Sequence, residues 1–152
     1  MKILVLYHKN CTDGTTAAAV LLTKFPDAVA IPIEHNFKEE DFNKLLEQVD
    51  EDTIVYIVDI ALKPEYLSKI LEKAKEVINI DHHISMKNIL EGIKHNKFKF
   101  IFDNDKSGAS LTWQYLLKSS SLKLCSIGIA TASGNFVSNT AAAVVPSVQF
   151  LW

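Results

Sequence analysis

A chain of 152 residues with 48% apolar side chains has the length of one domain and enough apolar surface for a full core. Its formal net charge is -2 and all 16 of its cationic side chains are lysine. That excludes a generally basic nucleic-acid binder and leaves no arginine to clamp a phosphate bidentately. A phosphate-bearing substrate would have to be held by metal, His, Lys and backbone N–H groups, or by arginine from a further segment. Cys11 and Cys125 make no disulfide framework, the opening MKILVLY is too short for a signal peptide, and no run reaches transmembrane length. A cytoplasmic, reducing setting is expected, with no membrane partner.

Residues 2–7 form an unbroken β-rich run, the pattern of a strand buried on both faces. Residues 13–24 read as a helix whose Ala17, Ala18 and Ala19 let it lie close to a sheet, ended by Pro26. A short strand at 28–33 precedes an amphipathic helix at 38–49, with Phe42, Leu45, Leu46 and Val49 on its inner face. A third strand at 53–58 leads to a helix with Pro64 in its first turn and Tyr66, Leu67, Ile70 and Leu71 facing inward. The fourth strand covers 76–80, and a weak helix is expected at 86–93. Residues 98–102 alternate Phe98, Phe100 and Phe102 against Lys99, which fits a more exposed edge strand. Residues 107–117 read as helical, with Trp113 on the inner face. Residues 124–130 are a further candidate strand, and Cys125 a core residue within it. Residues 119–152 carry a single charged side chain, Lys123, and the apolar tail at 141–152 reads as the beginning of a continuation. Alternating strands and helices without a repeat predict an α/β fold: an open, mainly parallel sheet with helices on both faces.

In such a sheet, ligands bind at the carboxyl ends of the strands. Three apolar runs end in metal-binding side chains: the first in His8, with Asp13 five residues on; the third in Asp59; the fourth in Asp81-His82-His83. Taken singly, each has an ordinary explanation. His8 is a polar strand end, Asp13 a helix N-cap, Asp59 the exit of a buried strand, and His82-His83 a surface pair. Taken together they form a His/Asp set suited to a hard or borderline divalent cation. His35 and His95 have no evident partners and read as surface residues. Cys11 reads as a packed, reduced thiol, with a thiolate ligand as the alternative.

The order of these motifs resembles the DHH phosphoesterase superfamily, which includes family II inorganic pyrophosphatases, nano-RNases, phosphoadenosine-phosphate phosphatases and single-strand-specific exonucleases. The resemblance rests on His8-Lys9-Asn10-Cys11-Thr12-Asp13-Gly14, on Asp59, on Asp81-His82-His83, on Ser107-Gly108-Ala109-Ser110, and on 128–136 with Ser138-Asn139-Thr140, the last being nano-RNase-like. It covers roughly residues 1–140, taken as the DHH domain, with 141–152 as a tail and the family's C-terminal substrate-binding domain not represented. Two departures stand out. Ala132 occupies a position where the family has a metal-binding Asp, and the first motif has one Asp where many members have two.

The resemblance implies two Mn²⁺ ions, with Mg²⁺, Co²⁺ or Zn²⁺ as chemically plausible alternatives, activating a hydroxide for attack on phosphorus. By the same resemblance the metal ligands are His8, Asp13, Asp59 and His82, with Asp59 bridging. Asp81 orients an imidazole and His83 acts on the phosphate or leaving oxygen, so these two are the catalytic residues. Gly14 and Ser107 join His83 in binding substrate. The expected substrate is a phosphate-ester small molecule or a short single-stranded oligonucleotide, not a duplex, and a homo-oligomer is compatible with the apolar tail. Competing readings are a pyrophosphatase or exopolyphosphatase, a catalytically inactive metal- or phosphate-binding domain, for which Ala132 speaks, and a response-regulator-like or flavodoxin-like module, which would not need His82-His83.

Overall fold

Strict alternation of strand and helix follows from the alternating hydrophobic periods of the sequence. The computed structural model describes residues 1–119. In chain order the elements are β1 (Lys2–His8), α1 (Thr12–Lys24), β2 (Val29–Ile33), α2 (Glu39–Glu47), β3 (Thr53–Val58), α3 (Pro64–Lys73), β4 (Glu76–Asp81), α4 (Ile84–Glu91), β5 (Phe98–Phe102) and α5 (Gly108–Ser119). The strands form one sheet in the order β2-β1-β3-β4-β5, every pairing parallel. The expected α/β architecture is thus the observed one.

Side chains alternate across each strand, so an apolar run feeds two cores. Leu4 and Leu6 of β1, with Val55 and Ile57 of β3, pack under Phe42, Leu45, Leu67 and Ile70 of α2 and α3. Ile3 and Val5, with Tyr56 and Val58, face Ala17, Ala18 and Leu21 of α1 and Leu111 and Leu116 of α5. Helices therefore cover both faces, and β1 needs no polar face at all. At the edge, β5 is only half-buried, as its alternating pattern predicts.

The strand order reverses between β1 and β3. Chain leaving β1 turns to one face and chain leaving β3 to the other, and that divergence opens a crevice at the carboxyl ends of these strands. Register keeps the ends level: Tyr7 pairs with Val58 and Val58 with Ile80, so His8, Asp59 and Asp81 emerge on the same rim.

Two expectations need correction. The weak helix begins two residues earlier, at Ile84, directly after His83, which occupies its N-cap position. Trp113 is exposed, not core. In α5 the inward face is carried by Gly108, Leu111, Thr112 and Leu116, and at about 100° per residue Trp113 and Leu117 fall on the opposite side. The expected strand at 124–130, Cys125, Ala132, the nano-RNase-like segment at 128–140 and the tail at 141–152 lie outside the described residues. Among the described residues no helix is long and apolar enough to cross a membrane.

Candidate metal centre

Asp59 is the hub of the site. It follows β3 directly, is 1% exposed, and has a left-handed backbone with φ 57°. Asp tolerates that region better than most residues, but a non-glycine there is uncommon and persists where its surroundings hold it. Three hydrogen bonds hold it here. The Asp59 N–H donates to the Ile80 carbonyl at 3.0 Å. The buried Asn79 side-chain amide, on β4, donates to the carbonyls of Ile57 and Ile60 at 3.1 Å each, and so pins the chain on both sides of Asp59.

The two oxygens of Asp59 look to two groups of donors. Oδ1 lies 3.0 Å from His82 Nε2. Oδ2 accepts from Cys11 Sγ at 3.0 Å and stands 3.8 Å from His8 Nδ1. Asp59, Asp81, His82 and His83 form one set whose ligand atoms lie within 4.8 Å of one another; His8, Cys11 and Asp59 form a second. Asp59 is common to both. Parallel β1, β3 and β4 bring these residues together from three separate stretches of sequence.

Asp81 is also 1% exposed. Its Oδ1 accepts from His83 Nδ1 at 2.6 Å and from the backbone N–H of His82 at 2.8 Å. This fixes the His83 ring, whose side chain is 46% exposed at the rim. With Nδ1 committed to Asp81, Nε2 is the ring nitrogen left to face solvent or substrate.

Asp13 stands beside these sets. Its Oδ2 accepts from the Gly108 N–H at 2.7 Å and its Oδ1 from the Ala109 N–H at 2.8 Å, and Oδ2 lies 3.5 Å from His82 Nε2. Asp13 therefore caps α5, a helix 95 residues away in sequence, rather than its own helix α1, and completes a favourable charge–dipole contact there. Gly14, expected to join in binding substrate, is buried. A Cβ on it would stand 2.6 Å from the His8 carbonyl oxygen and 3.1 Å from Asp59 Oδ2, so glycine is needed for α1 to approach the site. Ser107 is exposed at the start of α5, its Oγ accepting from the Ser110 N–H at 3.2 Å.

One residue was missed by reading the sequence, and one was placed on its less favoured alternative. His35 is not isolated: its ring lies 4.9 Å from that of His8. It follows the end of β2 by two residues, and the strand-end rule applied to β2 would have found it. Cys11 is not simply packed, since its sulfur points at Asp59. His95 is exposed, as expected.

The chain matches the model of the DHH family, N-terminal domain, over residues 2–134. It belongs to that family. Among solved structures it is similar to an uncharacterized protein from Helicobacter pylori G27, with a TM-score of 0.64 and 17% identity over 78% of this chain. At that identity the likeness carries the fold alone, and this chain spans 37% of that protein's length. No curated protein matches it. The family belongs to a phosphoesterase and pyrophosphatase type of superfamily, is metal-dependent, and acts on phosphate esters or nucleotides. The residues present fit a divalent cation. Imidazole and carboxylate donors are its usual ligands, and His8 Nδ1 is a buried atom with no hydrogen-bond partner, so its lone pair is not engaged by the protein.

Proposed function

We propose that this domain is a divalent-metal-dependent phosphoesterase that hydrolyses phosphate esters, with short single-stranded oligonucleotides or nucleotide phosphates as substrates. One observation carries the reading: a buried, conformationally constrained carboxylate, Asp59, is shared by two sets of potential ligands. His8 and Asp59 would hold one ion, and Asp59 and His82 a second. Asp13 keeps unused lone pairs on both oxygens and would contribute through them while anchoring α5. Two ions, Mn²⁺ by family resemblance, supply charge to offset the phosphoryl oxygens and to activate water.

The chain's own residues do the rest. Asp81 holds the His83 ring by Nδ1, so that Nε2 can deliver a proton to the leaving oxygen. Ser107, exposed at the start of α5, would donate its O–H to a phosphate oxygen, while the neighbouring Gly108 and Ala109 N–H groups stay bonded to Asp13. The site's place at the reversal point between β1 and β3 suits a small molecule or a single strand. A cytoplasmic location is part of the proposal.

The test is Mn²⁺ stoichiometry on the full chain beside hydrolysis of a dinucleotide, of a chromogenic phosphodiester and of pyrophosphate. Metal-dependent cleavage of the two diesters supports the reading, and cleavage of pyrophosphate alone would replace it with the pyrophosphatase alternative. Metal binding without turnover of any of the three leaves an inactive binding domain. In that case the Ala132→Asp variant should bind more metal per chain, by the family motif.

A further inference from the structure

The second donor set contains a sulfur that the proposed function does not use. Cys11 occupies the N-cap position of α1, yet its side chain makes no capping hydrogen bond there. It turns instead toward Asp59 Oδ2, at 3.0 Å. On the other side of that oxygen, at 3.8 Å, is His8 Nδ1, buried and without any hydrogen-bond partner. A buried polar atom left unpaired is uncommon and costs free energy. Nitrogen, sulfur and oxygen thus converge on one point, with all three ligand atoms within 4.8 Å of one another. Ligands held tetrahedrally at about 2.0–2.3 Å from a zinc-sized ion lie roughly 3.3–3.8 Å apart. His8 Nδ1 and Asp59 Oδ2, 3.8 Å apart, already meet that spacing, and Cys11 Sγ and Asp59 Oδ2, 3.0 Å apart, fall just short of it.

We propose that Cys11 is a metal ligand: its thiolate, His8 Nδ1 and Asp59 Oδ2 form a mixed sulfur, nitrogen and oxygen subsite that selects Zn²⁺ or Co²⁺ over Mn²⁺ or Mg²⁺. The inference rests on the metal-centre reading above and adds to it the identity of one ligand and the preference that ligand imposes. Thiolate favours softer ions, whereas carboxylate and water suit Mn²⁺ and Mg²⁺. Binding releases the sulfur proton to solvent, one per ion, because the thiolate is the ligand form. The S–H···O contact with Asp59 is the metal-free arrangement of two groups that would both turn to the cation. Half-buried rather than enclosed, Cys11 leaves an ion a path to the subsite.

The experiment is Co²⁺ titration of the full reduced chain, read by electronic absorption. Bound cobalt with a sulfur ligand shows an intense near-ultraviolet thiolate-to-metal charge-transfer band. The expected result is that band in the native chain, lost in Cys11→Ser and retained in Cys125→Ser. In Cys11→Asp, cobalt still binds without the band, and competition shifts in favour of Mn²⁺ relative to Zn²⁺. Cobalt binding to the native chain with no charge-transfer band, or a band that disappears with Cys125 and survives Cys11→Ser, would overturn the sulfur ligand and leave the metal centre standing. No binding of Co²⁺ or of Mn²⁺ to the native chain would overturn both. Cobalt bound without the band in Cys11→Asp distinguishes a lost sulfur ligand from a variant that failed to fold.

Discussion

At the scale of single residues, the site depends on one carboxylate and on the amide that positions it. Asp59→Asn keeps the size but turns one acceptor oxygen into an N–H donor and removes the charge shared by the two donor sets. It is expected to lose most metal affinity, and unchanged stoichiometry in calorimetry would refute the ligand assignment. Asn79 acts through Asp59. Replacing it with Ala leaves the carbonyls of Ile57 and Ile60 without their donor in a fully buried place. The expected cost is about 1–3 kcal/mol in stability, with weaker metal binding because the left-handed turn is released. Equal metal affinity in native protein and Asn79→Ala would confine Asn79 to a structural role. Tyr56, far from the rim, reports on the core instead. Burial, aided by Tyr115 and Glu76, pushes its hydroxyl from the ordinary 10.0 up to about 12. The native state then keeps a proton that the unfolded chain releases first. Stability from this source is complete below pH 10.0 and is lost as pH rises toward about 12. Denaturant unfolding across that window should show a smaller alkaline loss for Tyr56→Phe than for the native chain.

At the scale of elements, the unusual feature is a cap supplied from a distance. Asp13, in the first turn of α1, accepts both leading N–H groups of α5. The two helices lie on the same face of the sheet and share the core of Leu21, Leu111 and Leu116. Gly108 permits the approach, since a Cβ there would meet Asp59 Cβ at 3.1 Å and Asp13 Oδ2 at 3.3 Å. Loss of an N-cap of this kind costs about 0.5–2 kcal/mol. Asp13→Ala is therefore expected to speed hydrogen exchange at the Gly108 and Ala109 amides and through the first turn of α5, while α3, on the opposite face, keeps its protection. Uniform acceleration in both helices would point to global destabilisation instead of a lost cap.

At the scale of the whole molecule, the proposed metal binding would be linked to folding. The proposed ligands come from β1, the β3 end and the β4 end, which meet only when the parallel sheet has formed. An ion bound by the native state alone stabilises it by about 2.7 kcal/mol at a concentration a hundred times its Kd. A raised melting temperature in Mn²⁺, Zn²⁺ or Co²⁺, reversed by chelator and absent in Asp59→Asn, is the expected outcome. An identical rise in that variant would locate the binding elsewhere.

The sequence by itself determined the α/β class, the positions of β1, β3, β4 and β5, and the rim residues His8, Asp59 and Asp81-His82-His83. It could do so because hydrophobic period and strand-end chemistry are local signals, and in a parallel sheet all strands deliver their carboxyl ends to the same side. Only tertiary structure decided what depends on which residues meet across the fold. Cys11 turns from a helix cap to the Asp59 carboxylate, and His35 lies against His8. Asp13 caps α5 and not α1, Gly14 serves packing, and Trp113 faces outward because α5 lies on α1 by its Gly108, Leu111 and Thr112 side. No spacing along the chain encodes these contacts. They arise where α1 and α5 are pressed together against one face of a twisted sheet, and there the neighbours are chosen by geometry in space.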